Sequence, residues 1–315
     1  MQPKRKYSRW YKVIILAITL LLVYIALKVY VGPAPQADNL NDWQKYNDSL
    51  NIANKAFAEN HPYNFTDRPR KEEKDSGIFR IAVLGDSFIW GDGLPYDSAW
   101  SHKLEQKLLA KYQNVEVMHW GRNGWQTKEE IEFYTTEGYK FHPDLLILGF
   151  VDNDADMGRF QHMHWDFRNN YWIFYKIWPA LAEKILSKLY ANSYHKWQLR
   201  LYGEENIVMY KVLWKQFMDK LATDGQDYFV VQTPACITYT CDEFYLKVQP
   251  MFDTLNLEYI NLIPATQAKL SNYSYEELLA NPANYHPGTL MTNVFADEVL
   301  EYIKQTERLP TSHLK

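Results

Sequence analysis

The feature that most constrains the fold is an alternation of short apolar segments with segments of helical spacing. Three apolar runs of strand length lie at 79–84 (FRIAVL), 115–120 (VEVMHW) and 145–150 (LLILGF). Between them, 100–111 and 127–139 have the apolar spacing of amphipathic helices. Strands that alternate with helices at this interval form βαβ units, in which helices cover both faces of a parallel sheet. With further strands at 228–232 and 259–262 and a closing helix at 291–304, the sequence predicts an α/β fold, a three-layer α/β/α sandwich with a five-stranded parallel sheet.

The stretch 157–221 interrupts this alternation. It is rich in Trp, Tyr and His, and its Leu and Ile residues fall at helical spacing. We therefore predict a helical insertion between the third and fourth strands. Such an insertion could wall a pocket, lie on a membrane surface or simply pack as core.

The N-terminus contains an apolar run, 13–31, interrupted only by Lys28. Helical rise makes nineteen residues span about 28 Å, close to the thickness of the hydrocarbon layer. Five basic residues and no acid precede the run, which favours a cytoplasmic N-terminus. We predict a transmembrane signal-anchor at 13–31 with everything after it outside the cytoplasm, periplasmic or at the cell surface. A cleaved signal peptide is the alternative, although Pro35 makes the cleavage site poor.

These observations predict five segments: a cytoplasmic basic tail at 1–12, the anchor at 13–31, a juxtamembrane linker at 32–77, the α/β domain at 78–308 and a tail at 309–315. The chain has 34 basic and 38 acidic side chains, and no basic stretch follows residue 12. Since nucleic-acid binding requires a basic face, no nucleic-acid partner is predicted.

Two further groups of residues leave alternatives open. Cys236 and Cys241 either form a small disulfide-closed loop or remain two reduced, buried thiols. His162, His164 and Asp166 alternate along the chain, a pattern that suits either a divalent metal site or an ordinary polar surface. We predict no metal and no cofactor.

Three strand ends carry residues suited to acyl transfer. Ser87 follows the first strand in GDSF, Gly124 follows the second in WGRNG, and Asn153 follows the third in GFVDND. The carboxyl ends of parallel strands share one edge of the sheet, where ligands bind. A hydroxyl, a sterically open backbone amide and a side-chain amide are the components of a nucleophile with an oxyanion hole.

His286, in NYHPG before the closing helix, is the candidate base for Ser87, because a serine hydroxyl needs a proton acceptor to react. Pro287 restricts it to an extended conformation. A lone His in such a loop is more often structural. The prediction therefore depends on all four positions together.

Together these positions resemble the SGNH subgroup of the GDSL-like hydrolases, with all four blocks in that family's order over about residues 78–306. The stretch GDSFIWGDGLPYDSAWSHKLE also looks like the first block of membrane-associated bacterial members. The resemblance implies a flavodoxin-like SGNH fold, Ser87 as nucleophile and His286 as base. It also implies oxyanion donors from Ser87, Gly124 and Asn153.

The chain departs from the family pattern at the acid that supports the histidine, since positions 283 and 284 are Ala283 and Asn284. Asn284 could orient the imidazole through its carbonyl oxygen but brings no charge. We therefore expect either a Ser–His dyad or another carboxylate, which the sequence does not identify.

The resemblance implies an esterase that acts on an acylated small molecule, a glycan (O-acyl sugar or polysaccharide) or a lipid. An O-acyltransferase acting on cell-surface glycan and a catalytically degenerate binding module are the alternatives.

Overall fold

The computed structural model describes residues 9–31, 37–157, 181, 198–234 and 242–315. The α-helices are α1 Arg9–Val31, α2 Ala37–Ala58, α3 Ser87–Trp90, α4 Trp100–Lys111, α5 Thr127–Thr136, α6 Glu204–Asp224, α7 Asp242–Leu255, α8 Ile263–Leu270, α9 Tyr275–Leu278 and α10 Thr289–Gln305. Short 3₁₀ helices occur at Tyr96–Ser98, Gly138–Phe141 and Thr311–His313. The strands are β1 Phe79–Gly85, β2 Val115–Gly121, β3 Leu145–Phe150, β4 Asp227–Gln232, β5 Tyr259–Asn261, β6 Leu279–Asn281 and β7 Asn284–Pro287.

The main sheet has five strands in the order β2-β1-β3-β4-β5, and each neighbouring pair is parallel. This is the flavodoxin-like order of doubly wound folds. The predicted five-stranded parallel sheet with its helices is therefore confirmed. Strands β6 and β7 form a separate antiparallel pair, which the sequence analysis did not predict.

Both faces of the sheet are buried, as runs such as LLIL in β3 require. On one face, alternate strand residues such as Ile81 and Ile147 join one core with residues of α4 and α10, including Leu104 and Phe295. The opposite face has an aromatic core, where Trp120 packs on Phe133 (centroids 5.3 Å apart) and Phe150 packs on Phe252 (5.5 Å). Helices therefore lie on both faces of the sheet.

The segment predicted as a linker contributes to the domain, which the sequence interpretation did not anticipate. Phe65 is fully buried, and Asn54 on α2 donates to the Leu94 carbonyl at 2.7 Å. The Asp67 carboxylate accepts the His119 amide at 3.0 Å. The linker prediction over 32–77 rested on the polar, charge-dense composition there, but several of those polar groups have specific buried partners.

The predicted anchor lies within α1, whose side chains are described at 11–25. Over the residues that the structure describes, no helix combines the length and apolarity needed to cross a membrane. The anchor therefore stays a prediction from the sequence.

Several other predictions fall outside the described residues. Of the insertion at 157–221, the structure describes 157, 181 and 198–221, which include most of α6. The metal candidates His162, His164 and Asp166 are outside the described ranges, and so are Cys236 and Cys241.

Candidate active site

The carboxyl ends of β1 and β3 mark the point where the strand order changes direction, and open parallel sheets bind ligands at such a switch point. Gly85 ends β1, and Ser87 begins the short helix α3. A Cβ on Gly85 would lie 2.6 Å from Cγ1 of Ile89, so this position needs glycine for α3 to pack closely on the sheet. Ser87 consequently lies at the switch point.

Ser87 is in hydrogen-bond contact with His286, which is 199 positions later in the chain. Nε2 of His286 lies 2.8 Å from Oγ of Ser87. His286 is on β7, and the pairing of Leu279 with Pro287 holds this strand against β6. The sequence analysis placed His286 in a stiff loop returning to this edge of the sheet, and the structure places it on a short hairpin strand there.

Asn284 determines which ring nitrogen of His286 carries the proton. Its Oδ1 accepts the backbone N–H of His286 at 3.0 Å, and a backbone N–H can only donate, so this contact fixes the orientation of the amide. The same Oδ1 lies 2.7 Å from Nδ1 of His286, so in the neutral ring Nδ1 carries the proton and donates it there. Nε2 then keeps a lone pair that can accept the hydroxyl proton of Ser87.

Two further asparagines support Asn284. Oδ1 of Asn47 accepts from Nδ2 of Asn284 at 3.0 Å and from Nδ2 of Asn281 at 3.2 Å. Nδ2 of Asn281 also donates to the Gly93 carbonyl at 3.1 Å. Asn47 lies on α2, inside the segment predicted as a linker. Sequence reasoning missed Asn47 and Asn281 because an amide on a polar helix or in a turn looks like an ordinary surface residue.

Asp92 also faces His286 and was not singled out from the sequence. Its Oδ2 lies 3.5 Å from Nδ1 of His286, and its side chain is 18% exposed. Its Oδ1 is buried and has no hydrogen-bond partner among the described residues. Asp92 stands between Gly91 and Gly93, whose φ angles are +81° and +78°. Because a Gly-Asp-Gly triplet is typical of turns, the only sequence signal was its closeness to Ser87.

The other two predicted site residues lie in the loops after β2 and β3. Gly124 has φ +79° and is the third residue of a turn closed by the Trp125 amide on the Arg122 carbonyl at 3.2 Å, a position that favours glycine. Asn153 follows β3, and its Oδ1 is buried without a partner in the described part of the chain. No hydrogen bond between described residues joins Gly124 or Asn153 to Ser87 or His286, so their oxyanion roles stay predictions.

Burial and charge set the protonation of the site. Burial lowers the pKa of His286, and the negative charge of Asp92 opposes this by raising it. The neutral imidazole needed for a base is therefore favoured near neutral pH. Burial raises the pKa of Asp86, beside Ser87, to about 7. Oγ of Ser87 is 3.3 Å from Oδ2 of Asp86, against 2.8 Å from His286, so the shorter contact is the one to the base.

One group of described residues has the composition of a metal site, namely His102, Glu105 and His119. The two imidazoles are stacked with centroids 3.6 Å apart and an interplanar angle of 22°. Their lone pairs therefore lie in two separate, nearly parallel planes, an arrangement that does not suit the coordination of one ion by both rings. Glu105 is already paired with Arg68 and Arg70 at 3.1 and 3.4 Å. The group fits a buried hydrogen-bonded cluster better than a metal centre.

Comparison with known proteins gives structural likeness alone, because no family model and no curated sequence matches the chain. The lipase/acylhydrolase from Enterococcus faecalis is 14% identical with a TM-score of 0.46, and covers 76% of this chain and 98% of its own. The esterase EstA from Pseudoalteromonas sp. is 11% identical with a TM-score of 0.47, covering 73% of this chain and 100% of its own. An acetylxylan esterase from Geobacillus stearothermophilus is 15% identical with a TM-score of 0.45, covering 73% and 95%.

At 11–15% identity, these are likenesses of fold alone. The chain resembles the SGNH/GDSL-like hydrolases in four sequence blocks, and its Ser87 and His286 side chains meet as that resemblance implies.

Proposed function

We propose that the protein is a serine ester hydrolase in which Ser87 is the nucleophile and His286 the base. The observation that carries the proposal is the 2.8 Å contact between Nε2 and Oγ, with Nδ1 directed at Oδ1 of Asn284. A nucleophile, a base and a group that orients the base are the arrangement that covalent acyl transfer needs.

The reaction has two stages. Oγ of Ser87 attacks the ester carbonyl while Nε2 of His286 takes its proton, and the same proton then passes to the departing alkoxide. His286 then deprotonates a water molecule, whose oxygen attacks the acyl carbonyl. The bond from the acyl carbon to Oγ breaks, the free acid leaves, and the imidazolium returns its proton to Oγ. The developing oxyanion would be met by the amides of Ser87 and Gly124, which donate to no described residue, and by the side-chain NH₂ of Asn153.

We also propose that α1 anchors the enzyme in the cytoplasmic membrane, with the domain outside the cytoplasm. The support is the apolar run at 13–31 and the five basic residues before it. Large apolar side chains between Val13 and Ile25 are exposed, and transfer of such side chains from water to an apolar surrounding is favourable. For this location an O-acylated glycan or a lipid ester is the proposed substrate class.

Hydrolysis of aryl esters of graded chain length tests the proposed activity. We expect the wild type to release acid and phenol, and Ser87→Ala to lose this release. The matched control is Ser98→Ala, which removes another hydroxyl from the segment after β1 and should retain it. Release by Ser87→Ala at the wild-type rate would contradict the assignment. If labelled acyl groups appear on an added sugar while free acid does not, the protein is a transferase.

The anchor is tested separately. Membranes washed at high pH should retain the full chain, and a variant with Leu16→Asp and Leu20→Asp should be released. An unchanged distribution between membrane and supernatant would contradict the anchor without affecting the proposed chemistry.

A further inference from the structure

We propose that Asp92 is the acidic partner of His286 and supplies the negative charge that the C-terminal motif lacks. This inference rests on the proposed function, because it assigns a role within the same site. It places the acid in the loop that follows the nucleophile, five positions after Ser87, and not beside the histidine.

Asn284 and Asp92 both face Nδ1, the ring nitrogen of His286 that does not contact Ser87. Oδ1 of Asn284 takes the Nδ1 proton at 2.7 Å, and Oδ2 of Asp92 stands 3.5 Å from the same nitrogen. A contact of 3.5 Å is too long for a good hydrogen bond, but opposite charges at this separation still favour each other's ionised form. Asn284 therefore fixes the tautomer and direction of His286, and Asp92 provides the charge.

Among the described residues, no cation other than His286 lies near enough to neutralise the negative charge of Asp92. In the described part of the chain, His286 is the only basic side chain within ion-pair distance of its carboxylate. The space beside Asp92 and His286 is lined by apolar side chains, among them Leu94, Trp100 and Pro287, and by the hydroxyl side chains of Ser87 and Thr292. The Asp92 and His286 side chains are 18% and 29% exposed, so water screens the pair only in part. The imidazolium is therefore the cation best placed to pair with Asp92.

The loop that carries Asp92 is held from several sides. The Asp92 amide donates to the Ser87 carbonyl at 3.1 Å, and the Leu94 amide donates to the Gly91 carbonyl at 3.0 Å. Nδ2 of Asn54 donates to the Leu94 carbonyl at 2.7 Å. These bonds preorganise the carboxylate, which lowers the reorganisation needed when charge develops on the imidazole.

In the reaction Asp92 stays ionised throughout. When Oγ attacks, its proton moves to Nε2 of His286 and the ring becomes a cation 3.5 Å from Oδ2. When the proton passes to the departing alkoxide, the ring is neutral again. Asp92 thus takes no proton and acts as a positioning residue through His286.

Two other charged groups lie near His286 and must be separated from Asp92 in any pH experiment. Asp86, the residue before α3, contacts Ser87, and burial raises the pKa of Asp86 to about 7. Lys103 on α4 donates to the Thr289 carbonyl at 3.0 Å, at the start of the helix after His286. A kinetic pH profile would combine the titrations of Asp86 and His286, so the ring itself has to be observed.

The test compares Asp92→Asn with the control Asp97→Asn, an exposed carboxylate in the same segment. Loss of the triad acid in a serine protease lowers kcat about 10⁴-fold, partly through the wrong tautomer. Because Asn284 preserves the tautomer here, we expect Asp92→Asn to lower kcat about 10²-fold with little change in KM. Asp97→Asn should stay within about twofold of wild type.

The spectroscopic readout is the ¹³Cε1 signal of His286, assigned by its loss in His286→Gln. Removing Asp92 should lower the pKa of His286, so the titration of the ring signal moves to lower pH. Asp92→Glu should recover part of kcat. Asn284→Asp combined with Asp92→Asn, which returns the acid to its position in the resembled family, should also recover activity.

An unchanged pKa of His286 in Asp92→Asn, or unchanged kcat, would overturn the proposal. If the proposed function is wrong, the result is different, because the wild type itself would hydrolyse no ester. The histidine titration in Asp92→Asn would still report whether the two side chains are coupled.

Discussion

Two regions of the molecule place a histidine beside a carboxylate and differ in what those groups contact. At the switch point, Nδ1 of His286 is 3.5 Å from Asp92, and the His286 side chain is 29% exposed. In the buried cluster of His102, Glu105 and His119, Nε2 of His119 is 3.1 Å from Glu105, and the His119 side chain is fully buried. The opposite nitrogen of His286 contacts Ser87, but Nδ1 of His119 has no partner among the described residues.

The difference shows that a histidine–carboxylate pair does not by itself make a reactive site. Hydrogen bonding to His119 and the nearby charges of Arg70 and Arg68 hold the pKa of Glu105 at about 2 despite its burial. Its charge is already compensated, and the stacked His102 has a pKa lowered by burial. In the proposed site, Asp92 has no cationic partner other than His286 among the described residues, and the ring contacts a hydroxyl. We therefore expect reactivity to require a carboxylate that no second cation neutralises and a ring that contacts a nucleophile.

The largest expected effect separates the two histidines directly. His286→Gln should lower kcat/KM for an aryl ester by about 10⁴-fold or more, since a triad acts as a unit. His119→Gln should leave kcat/KM per folded molecule within about twofold. The measurement is initial rates normalised to folded protein by circular dichroism. Equal losses in both variants would remove the distinction.

The second-largest expected effect is on the stability of the fold, through Glu105 in the buried cluster. Removing one partner of a buried ion pair costs about 3–5 kcal/mol, and because Glu105 is 14% exposed we expect Glu105→Gln to lower the free energy of unfolding by about 2–4 kcal/mol. The control Glu301→Gln breaks a surface pair with Lys304 at 3.4 Å, which should cost less than about 1 kcal/mol. Urea unfolding at pH 7 measures both. Similar small costs would show that Glu105 does little for the fold.

The third prediction concerns Asp86, the acid beside the nucleophile, whose contribution to stability should fall as the pH rises. Burial raises the pKa of Asp86 to about 7 from an ordinary value of 3.8, so the folded state binds its proton more tightly than the unfolded state does. Its contribution to stability is fully present below about pH 4 and is lost as the pH rises to about 7. Asp86→Asn should therefore be more stable than wild type by about 2–4 kcal/mol at pH 8, with little difference at pH 4.

Urea unfolding of wild type and Asp86→Asn across this pH range is the measurement, with Asp97→Asn as the exposed control. A difference that does not change with pH would contradict the raised pKa of Asp86.

The smallest expected effect comes from the asparagine cluster. Asn47→Ala removes the acceptor for Nδ2 of Asn284, leaving that amide less fixed against His286. Asn47 accepts two hydrogen bonds, from Asn284 and from Asn281. The loss of the one to Asn284, about 1–1.5 kcal/mol, corresponds to roughly a tenfold fall in kcat. Asn60→Ala, at an exposed position just after α2, is the control. A loss confined to stability, with kcat unchanged, would limit Asn47 to a structural role.

The sequence predicted the sheet well because its signals are local. The strand at 145–150 is rich in Leu and Ile and ends where β3 ends, and the helix at 100–111 coincides with α4. The buried contribution of α2 could not be predicted, because its polar residues bind backbone groups far along the chain, as Asn54 does with the Leu94 carbonyl.

The site was predicted only in part, because some of its residues lie in local motifs and others are defined by contacts between distant parts of the chain. Ser87 and His286 stood out from motifs, and the expectation of an unidentified carboxylate followed from Asn284. Asp92 itself could not be chosen, because its relation to His286 depends on how the hairpin β6–β7 returns to the loop after Ser87, and no local pattern in the sequence encodes that distance.

The central claim is that the hydroxyl of Ser87 is a nucleophile activated by His286, and covalent labelling tests it most directly. Folded wild type incubated with a fluorophosphonate at neutral pH should gain one adduct by intact mass, located on Ser87 by peptide mapping. His286→Gln should label far more slowly, and Ser87→Ala should not label. A folded wild type that gains no adduct, or one that labels as fast as Ser87→Ala, would contradict the account.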